Sequence, residues 1–269
     1  MPVAIREVTD YLETIAPLHL QESYDNAGLI TGSPDWEVTG VLTSLDCLET
    51  TVDEAVERGC NLILAHHPIV FRGLKRINGS NYVERTIIKA IKNDVAIYAI
   101  HTNLDNVLRR GVNERIARRL GLEEVRVLAQ KDAADPNVGA GAVGNLPADM
   151  SESELLEHVS ERMGAQGVRH TALLNRPVRR VAVAGGSGSF LLPAAKRAGA
   201  DAFVTADYKY HEFFDADGEI LIIDIGHFES EQFTVGLLQE IIQEKYTTFA
   251  VLSTDRSTNP VYYPGKPRT

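Results

Sequence analysis

The stretch VTGVLTSLDCLETTVDEAVERGCNLILAHHPIVF, residues 38–71, decides the fold. VTGVLTSLD (38–46) and NLILAHH (61–67) are short runs with the length and β-branched content of buried strands. Between them Val52, Ala55 and Val56 stripe one side of a helix, and Thr51 with Glu54 offers a capping box at its start. Strand, helix and strand in that order argue for an α/β architecture with a largely parallel sheet.

The alternation continues outward from this segment. AIYAIHTNLD (96–105) reads as the next strand. VRRVAVAGG (178–186), ADAFVTAD (200–207) and EILIIDIGH (219–227) form a second set, and TFAVLSTD (248–255) is a late strand. Val8, Leu12 and Ile15 stripe an N-terminal helix. Ser151 and Glu154 make a second capping box before Leu155, Leu156 and Val159. Phe233, Leu237 and Ile241 stripe the last helix. A composition shift at KDAADPNVGAGAVGNLPADM (131–150), rich in Gly, Ala, Asp and Pro, reads as the start of a second lobe. The expectation is therefore two α/β lobes with largely parallel sheets. Residues 1–130 and 225–269 would form the first and carry most candidate ligands; residues 131–224 would form the second.

Composition narrows the chemistry. A chain of 269 residues can bury two such cores. Its only cysteines, Cys47 and Cys60, argue against a disulfide framework and a cysteine-rich zinc site, so a metal centre here is built from histidine and carboxylate. A net charge of −10 opposes binding to a phosphate backbone. The cluster Arg109, Arg110, Arg115, Arg118 and Arg119 reads as the solvated face of a helix. No apolar run has the length to span a bilayer, and MPVAIREVTDYLE lacks the apolar core of a signal peptide, so a cytoplasmic protein is expected.

Three strand ends carry donor residues. His66 and His67 directly follow NLILA, at the carboxyl end where open α/β sheets place their sites. Adjacent residues of an extended chain point to opposite sides, so the pair can serve two metal ions, or simply be polar residues at a strand end. His101 and Asp105 close the next strand; Asp105 also suits a helix cap, and His101 a satisfied strand histidine. EILIIDIG runs into His227. If His227 opens a helix, Glu231 lies one turn on along the same face, whereas Glu229 points away. The bland alternative for Glu231 is a first-turn glutamate favoured by the helix dipole. Imidazole and carboxylate together suit Zn²⁺, Fe²⁺, Mn²⁺ or Ni²⁺ and leave coordination positions open. Two weaker features are GGSGS (185–189), either a flexible turn or a phosphate cradle of backbone amides, and ADYKYHEFFD (206–215), where Asp207, Lys209 and His211 follow a strand end.

The chain resembles the Nif-three-like family of GTP cyclohydrolase 1 type 2 homologues. The resemblance lies in YDNAGLITG (24–32), LAHHPIVF (64–71), HTNLDNVLRRGVN (101–113), GGSGS (185–189), TADYKYH (205–211) and GHFESE (226–231), spread over most of the chain in the family's order. Many members have Trp at the position of Tyr24 and Gly at that of Ala206, and longer members carry an inserted middle domain that this chain lacks. The resemblance implies a dinuclear centre in the cleft between the lobes, with two divalent ions per chain held by His66, His67, Asp105, His227 and Glu231. His101 and His211 would stand beside the metals and move protons. It implies a homohexamer too. The function expected is metal-dependent hydrolysis of a small phosphate-bearing substrate, possible versions including attack at purine C8 of GTP. The alternatives are a non-catalytic metal carrier and a ring-shaped interaction scaffold, with nucleic acid disfavoured by charge.

Overall fold

The computed structural model describes residues 2–265. Along the chain come α1 (Ile5–Ile15), β1 (Gly28–Thr31), β2 (Gly40–Ser44), α2 (Glu49–Glu57), β3 (Leu62–Ala65), α3 (Tyr82–Lys92) and β4 (Ala96–Ala99). There follow α4 (Thr102–Asp105), α5 (Val112–Arg119), β5 (Glu123–Gln130), β6 (Gly139–Met150), α6 (Glu152–Met163), β7 (Arg169–His170) and β8 (Val178–Ser187). Last are α7 (Leu192–Arg197), β9 (Ala202–Ala206), β10 (Leu221–Asp224), α8 (His227–Glu231), α9 (Thr234–Lys245) and β11 (Ala250–Ser253). The chain divides into two compact units, Met1–Leu104 with Thr234–Pro260, and Asp105–Phe233 with Val261–Thr269.

The first unit is built on a five-stranded sheet in the order β1-β4-β3-β2-β11. β4, β3, β2 and β11 are parallel, and β1 closes one edge antiparallel to β4. β2, β3 and β4 are buried at every residue, which is why LILA and AIYA read as continuous apolar runs, while GVLTS ends in the buried polar pair Thr43 and Ser44. On one face α2 and α3 lay Val52, Ala55, Ile87 and Ala90 against Leu42, Ile63, Ala65 and Ile97. Alternation sends Val41, Leu64 and Tyr98 to the opposite face. There Thr43 Oγ1 donates to the Val235 carbonyl of α9 at 3.0 Å, and Tyr98 meets Glu13 of α1. The register pairs Ser44 with Ala65 and Ala65 with Ala99, so three parallel strands end level with one another. The residues just past those ends are Asp46, His66, His67 and His101.

The second unit has a six-stranded sheet, β5-β6-β8-β9-β10-β7. Only β8, β9 and β10 run parallel; β5, β6 and β7 are antiparallel additions, so this sheet is mixed rather than largely parallel. Phe203, Ala182 and Ile222 pack with Leu191, Leu192 and Ala195 on one side. The Gly- and Ala-rich run at 131–150 does not open this unit. It supplies the β5–β6 turn and β6 itself, while β5 already belongs to the sheet. Its glycines answer close packing: a Cβ on Gly139 would stand 2.3 Å from the Ala129 carbonyl oxygen of the neighbouring strand. Residues 225–233, expected with the first lobe, lie in this second unit together with Asp105.

The helix caps are partly as the sequence suggests. Ser151 and Glu154 form the reciprocal box at the start of α6. Thr51 does not open α2: that helix begins at Glu49, and Thr51 sits in its first turn, accepting the Leu48 amide at 3.1 Å.

Candidate functional site

The first unit brings His66, His67 and His101 together. Their ring centroids are 5.0–5.3 Å apart, and each offers a donor nitrogen within 4.8 Å of the others. Each ring is held at Nδ1. His66, fully buried, bonds the Ile100 carbonyl at 2.8 Å; His67 bonds Asp46 Oδ1 at 2.8 Å; His101 bonds Asp25 Oδ1 at 2.8 Å. A carbonyl or carboxylate can only accept, so the proton of each neutral ring belongs on Nδ1 and the lone pair on Nε2.

Asp25 and Asp46 were not singled out from the sequence. Asp46 continues β2 level with His67 beyond β3, so in-register extension of the two parallel strands places carboxylate beside imidazole. Asp25 lies in the irregular segment before β1 and reaches His101 across 76 residues. It also accepts the Thr102 amide at 3.0 Å and the Thr102 hydroxyl. Burial raises its pKa, but the hydrogen bonds from His101 and Thr102 outweigh that and bring it down to about 2.

In the second unit His227 opens α8, as its position after β10 suggests. Its Nε2 lies 3.0 Å from Glu231 Oε2, one turn on, and its Nδ1 lies 2.7 Å from Asp207 Oδ2. Burial would lower the pKa of His227. The charge of Glu231 and the hydrogen bonds to Asp207 and Glu231 override it and lift the value to about 11. Asp207 is correspondingly lowered, first by its hydrogen bond from His227. Glu229 is buried but turned the other way: its Oε2 would lie 2.4 Å from a Cβ on Gly226.

GGSGS forms the floor under this pair. Gly186 has φ 60°, and a Cβ there would stand 2.5 Å from Glu231 Oε1 and 3.1 Å from His227 Cε1. The Gly185 amide donates to Asn113 Oδ1 at 3.1 Å and the Gly186 amide to Ser230 Oγ at 2.9 Å. These two amides therefore serve the fold, not a phosphate. Asn113 also donates to the Asp105 carbonyl at 3.0 Å, which ties the end of α4 to the same floor. His211 is placed differently from the other histidines. It is exposed on the 3₁₀ turn Tyr210–Ala216 with its ring against Tyr210 and Phe214. No grouping of three or more donor side chains among the described residues includes it.

A histidine–carboxylate set of this kind fits a divalent ion. His227 Nε2 and Glu231 Oε2, here hydrogen-bonded to each other at 3.0 Å, are an imidazole nitrogen and a carboxylate oxygen of the kinds that ligate such ions.

Comparison with known proteins adds the lineage. The family model described as Duf34/NIF3 (NGG1p interacting factor 3) matches residues 3–260. A Clostridium acetobutylicum protein named GTP cyclohydrolase 1 type 2 homolog is 34% identical, over 86% of this chain and 86% of its own. A Streptomyces coelicolor protein of the same name is 37% identical, over 84% and 81%. Among solved structures, a Staphylococcus aureus hypothetical protein superposes with a TM-score of 0.90 at 29% identity, covering 98% of this chain and 100% of that one. A Bacillus cereus protein related to NIF3 does so with a TM-score of 0.89 at 28% identity, covering 97% and 99%.

Proposed function

This chain belongs to the Duf34/NIF3 family, and we propose that it is a divalent-metal-dependent hydrolase whose two ions are held by His66, His67, Asp105, His227 and Glu231. The observation that carries this reading is the orientation of the imidazoles. His66, His67, His101 and His227 each engage Nδ1 with a carbonyl or carboxylate. Such backing fixes the tautomer and raises the basicity of Nε2, as it does in metal-ligating histidines generally. His66, His67 and His101 also bring a ring nitrogen each within 4.8 Å of the others, which the exposed His170, bonded to a carbonyl at Nδ1 too, does not.

Bound divalent ions would supply Lewis acidity toward a substrate oxygen and lower the pKa of water. The protein's own contribution is positional. Asp46 and Asp207 orient the ligand imidazoles, and Gly186 leaves room for the Glu231 carboxylate. His101, backed by Asp25, is set to take up or return a proton at Nε2. The exposed ring of His211 is suited to contact with an arriving substrate more than to the donor sets. The name these relatives carry makes GTP the first substrate to test. A homohexamer remains part of the proposal, on the motifs given above.

The test is a turnover screen of metal-loaded protein against GTP, other nucleotides and small phosphate esters. Product in excess over enzyme, abolished by a chelator and restored by metal, is the expected result. Full metal loading with no turnover across the panel would favour a metal carrier instead.

A further inference from the structure

The segment after β11 is pinned along α2 by a polar network. The Thr254 hydroxyl and the Asp255 amide donate to Glu54 at 2.5 and 2.8 Å. Arg58 bonds the same carboxylate at 2.7 Å and the Ser253 carbonyl at 2.9 Å. Arg256 reaches the Thr50 carbonyl at 2.7 Å and Glu57 at 2.5 Å. Glu54 is buried, so these bonds compensate its charge and fix the backbone that leaves β11.

What this anchorage delivers is Thr258. The residue is buried, and its hydroxyl donates to Asp46 Oδ2 at 2.6 Å. Asp46 Oδ1 in turn bonds His67 Nδ1 at 2.8 Å. A carboxylate bound at one oxygen can still rotate about its side-chain torsions; bound at both, it presents one oxygen to the imidazole in a single orientation. We infer that Thr258 is a positioning residue that acts through Asp46 to aim His67 at its metal. The C-terminal segment is thereby a working part of the site, although it contributes no ligand. The inference rests on the reading of His67 as a ligand.

Thr258→Val keeps the shape and removes the donor; Thr258→Ser keeps the donor. Zn²⁺ affinity is measured by competition with a chromogenic chelator, and the visible spectrum of the Co²⁺ form reports ligand geometry. Carboxylates behind ligand histidines are worth about 10–100-fold in affinity, and a residue one step further back is expected to give about 3–10-fold. Thr258→Val should therefore weaken Zn²⁺ about 3–10-fold and alter the Co²⁺ spectrum, while Thr258→Ser stays within about twofold of the parent. In an Asp46→Ala background Thr258→Val should be silent, because the path to His67 is already cut. A purely structural role would lower the melting temperature of the metal-free protein and weaken metal equally in both backgrounds. Equal losses in both backgrounds, or a Thr258→Val protein that binds Zn²⁺ like the parent, would overturn the inference alone. A parent protein that takes up neither Zn²⁺ nor Co²⁺ would overturn the metal reading, and this inference with it.

Discussion

At the scale of single residues, Glu231 and Glu229 separate cleanly although both follow His227. Successive helical residues rotate by about 100°, so position i+4 returns to the face of His227 and position i+2 does not. The structure pairs Glu231 with His227 at 3.0 Å and turns Glu229 toward Gly226. Glu231→Gln should abolish metal binding in a folded protein, and Glu229→Gln should retain it. Metal content with circular dichroism on both variants checks this; the reverse pattern would reassign the ligand. The proton on His227 gives a second prediction. Its folded pKa of about 11 lies above the ordinary value of 6.5, so the stability it lends the metal-free protein is fully present below pH 6.5 and is lost as pH rises through about 11. A metal that takes Nε2 must displace that proton. Zinc addition in weak buffer should therefore release protons, and affinity should rise from pH 6 to 9; an affinity flat over that range would contradict it. His227 and Glu231 were legible as a pair in the sequence because one helical turn links them. Asp25 and Asp46 were not, because they meet their histidines only after the chain has folded across 76 and 21 residues.

At the scale of elements, the parallel strands were the most legible part. β3 and β4 are runs buried on both faces, and LILA and AIYA show as uninterrupted apolar sequence. The β5–β6 hairpin was not legible. Its packing demands small residues, and GAGAVG looks like a loop until the neighbouring strand is in place. GGSGS is the similar case at the site, where a turn-like sequence is the end of β8 and the floor beneath α8. Gly186→Ala puts a methyl carbon 2.5 Å from Glu231 Oε1 and forces a side chain into the left-handed region, at about 1–2 kcal/mol. The expected outcome is a modest fall in melting temperature with a large loss of metal affinity. A variant that melts earlier but binds metal normally would show that Gly186 serves only the backbone.

At the scale of the molecule, the two units divide the donors: His66, His67 and His101 belong to one, Asp105, His227 and Glu231 to the other. The sequence reading places the return to the first lobe near residue 225, and the structure divides at Phe233 and Thr234. The helical stripe of Phe233, Leu237 and Ile241 marks the α9 region, yet the ligand helix α8 that precedes it stays with the second sheet. The assembly proposed for the 29.5 kDa chain is a homohexamer, so light scattering should report six times that mass at micromolar concentration, and a monomer would reject it. The most direct test of the central claim is metal analysis by mass spectrometry of the purified protein. The protein should be stripped and then reconstituted in turn with Zn²⁺, Mn²⁺, Fe²⁺ and Ni²⁺. Two ions per chain with at least one of these metals is the result predicted; a chain that retains none of them contradicts the account.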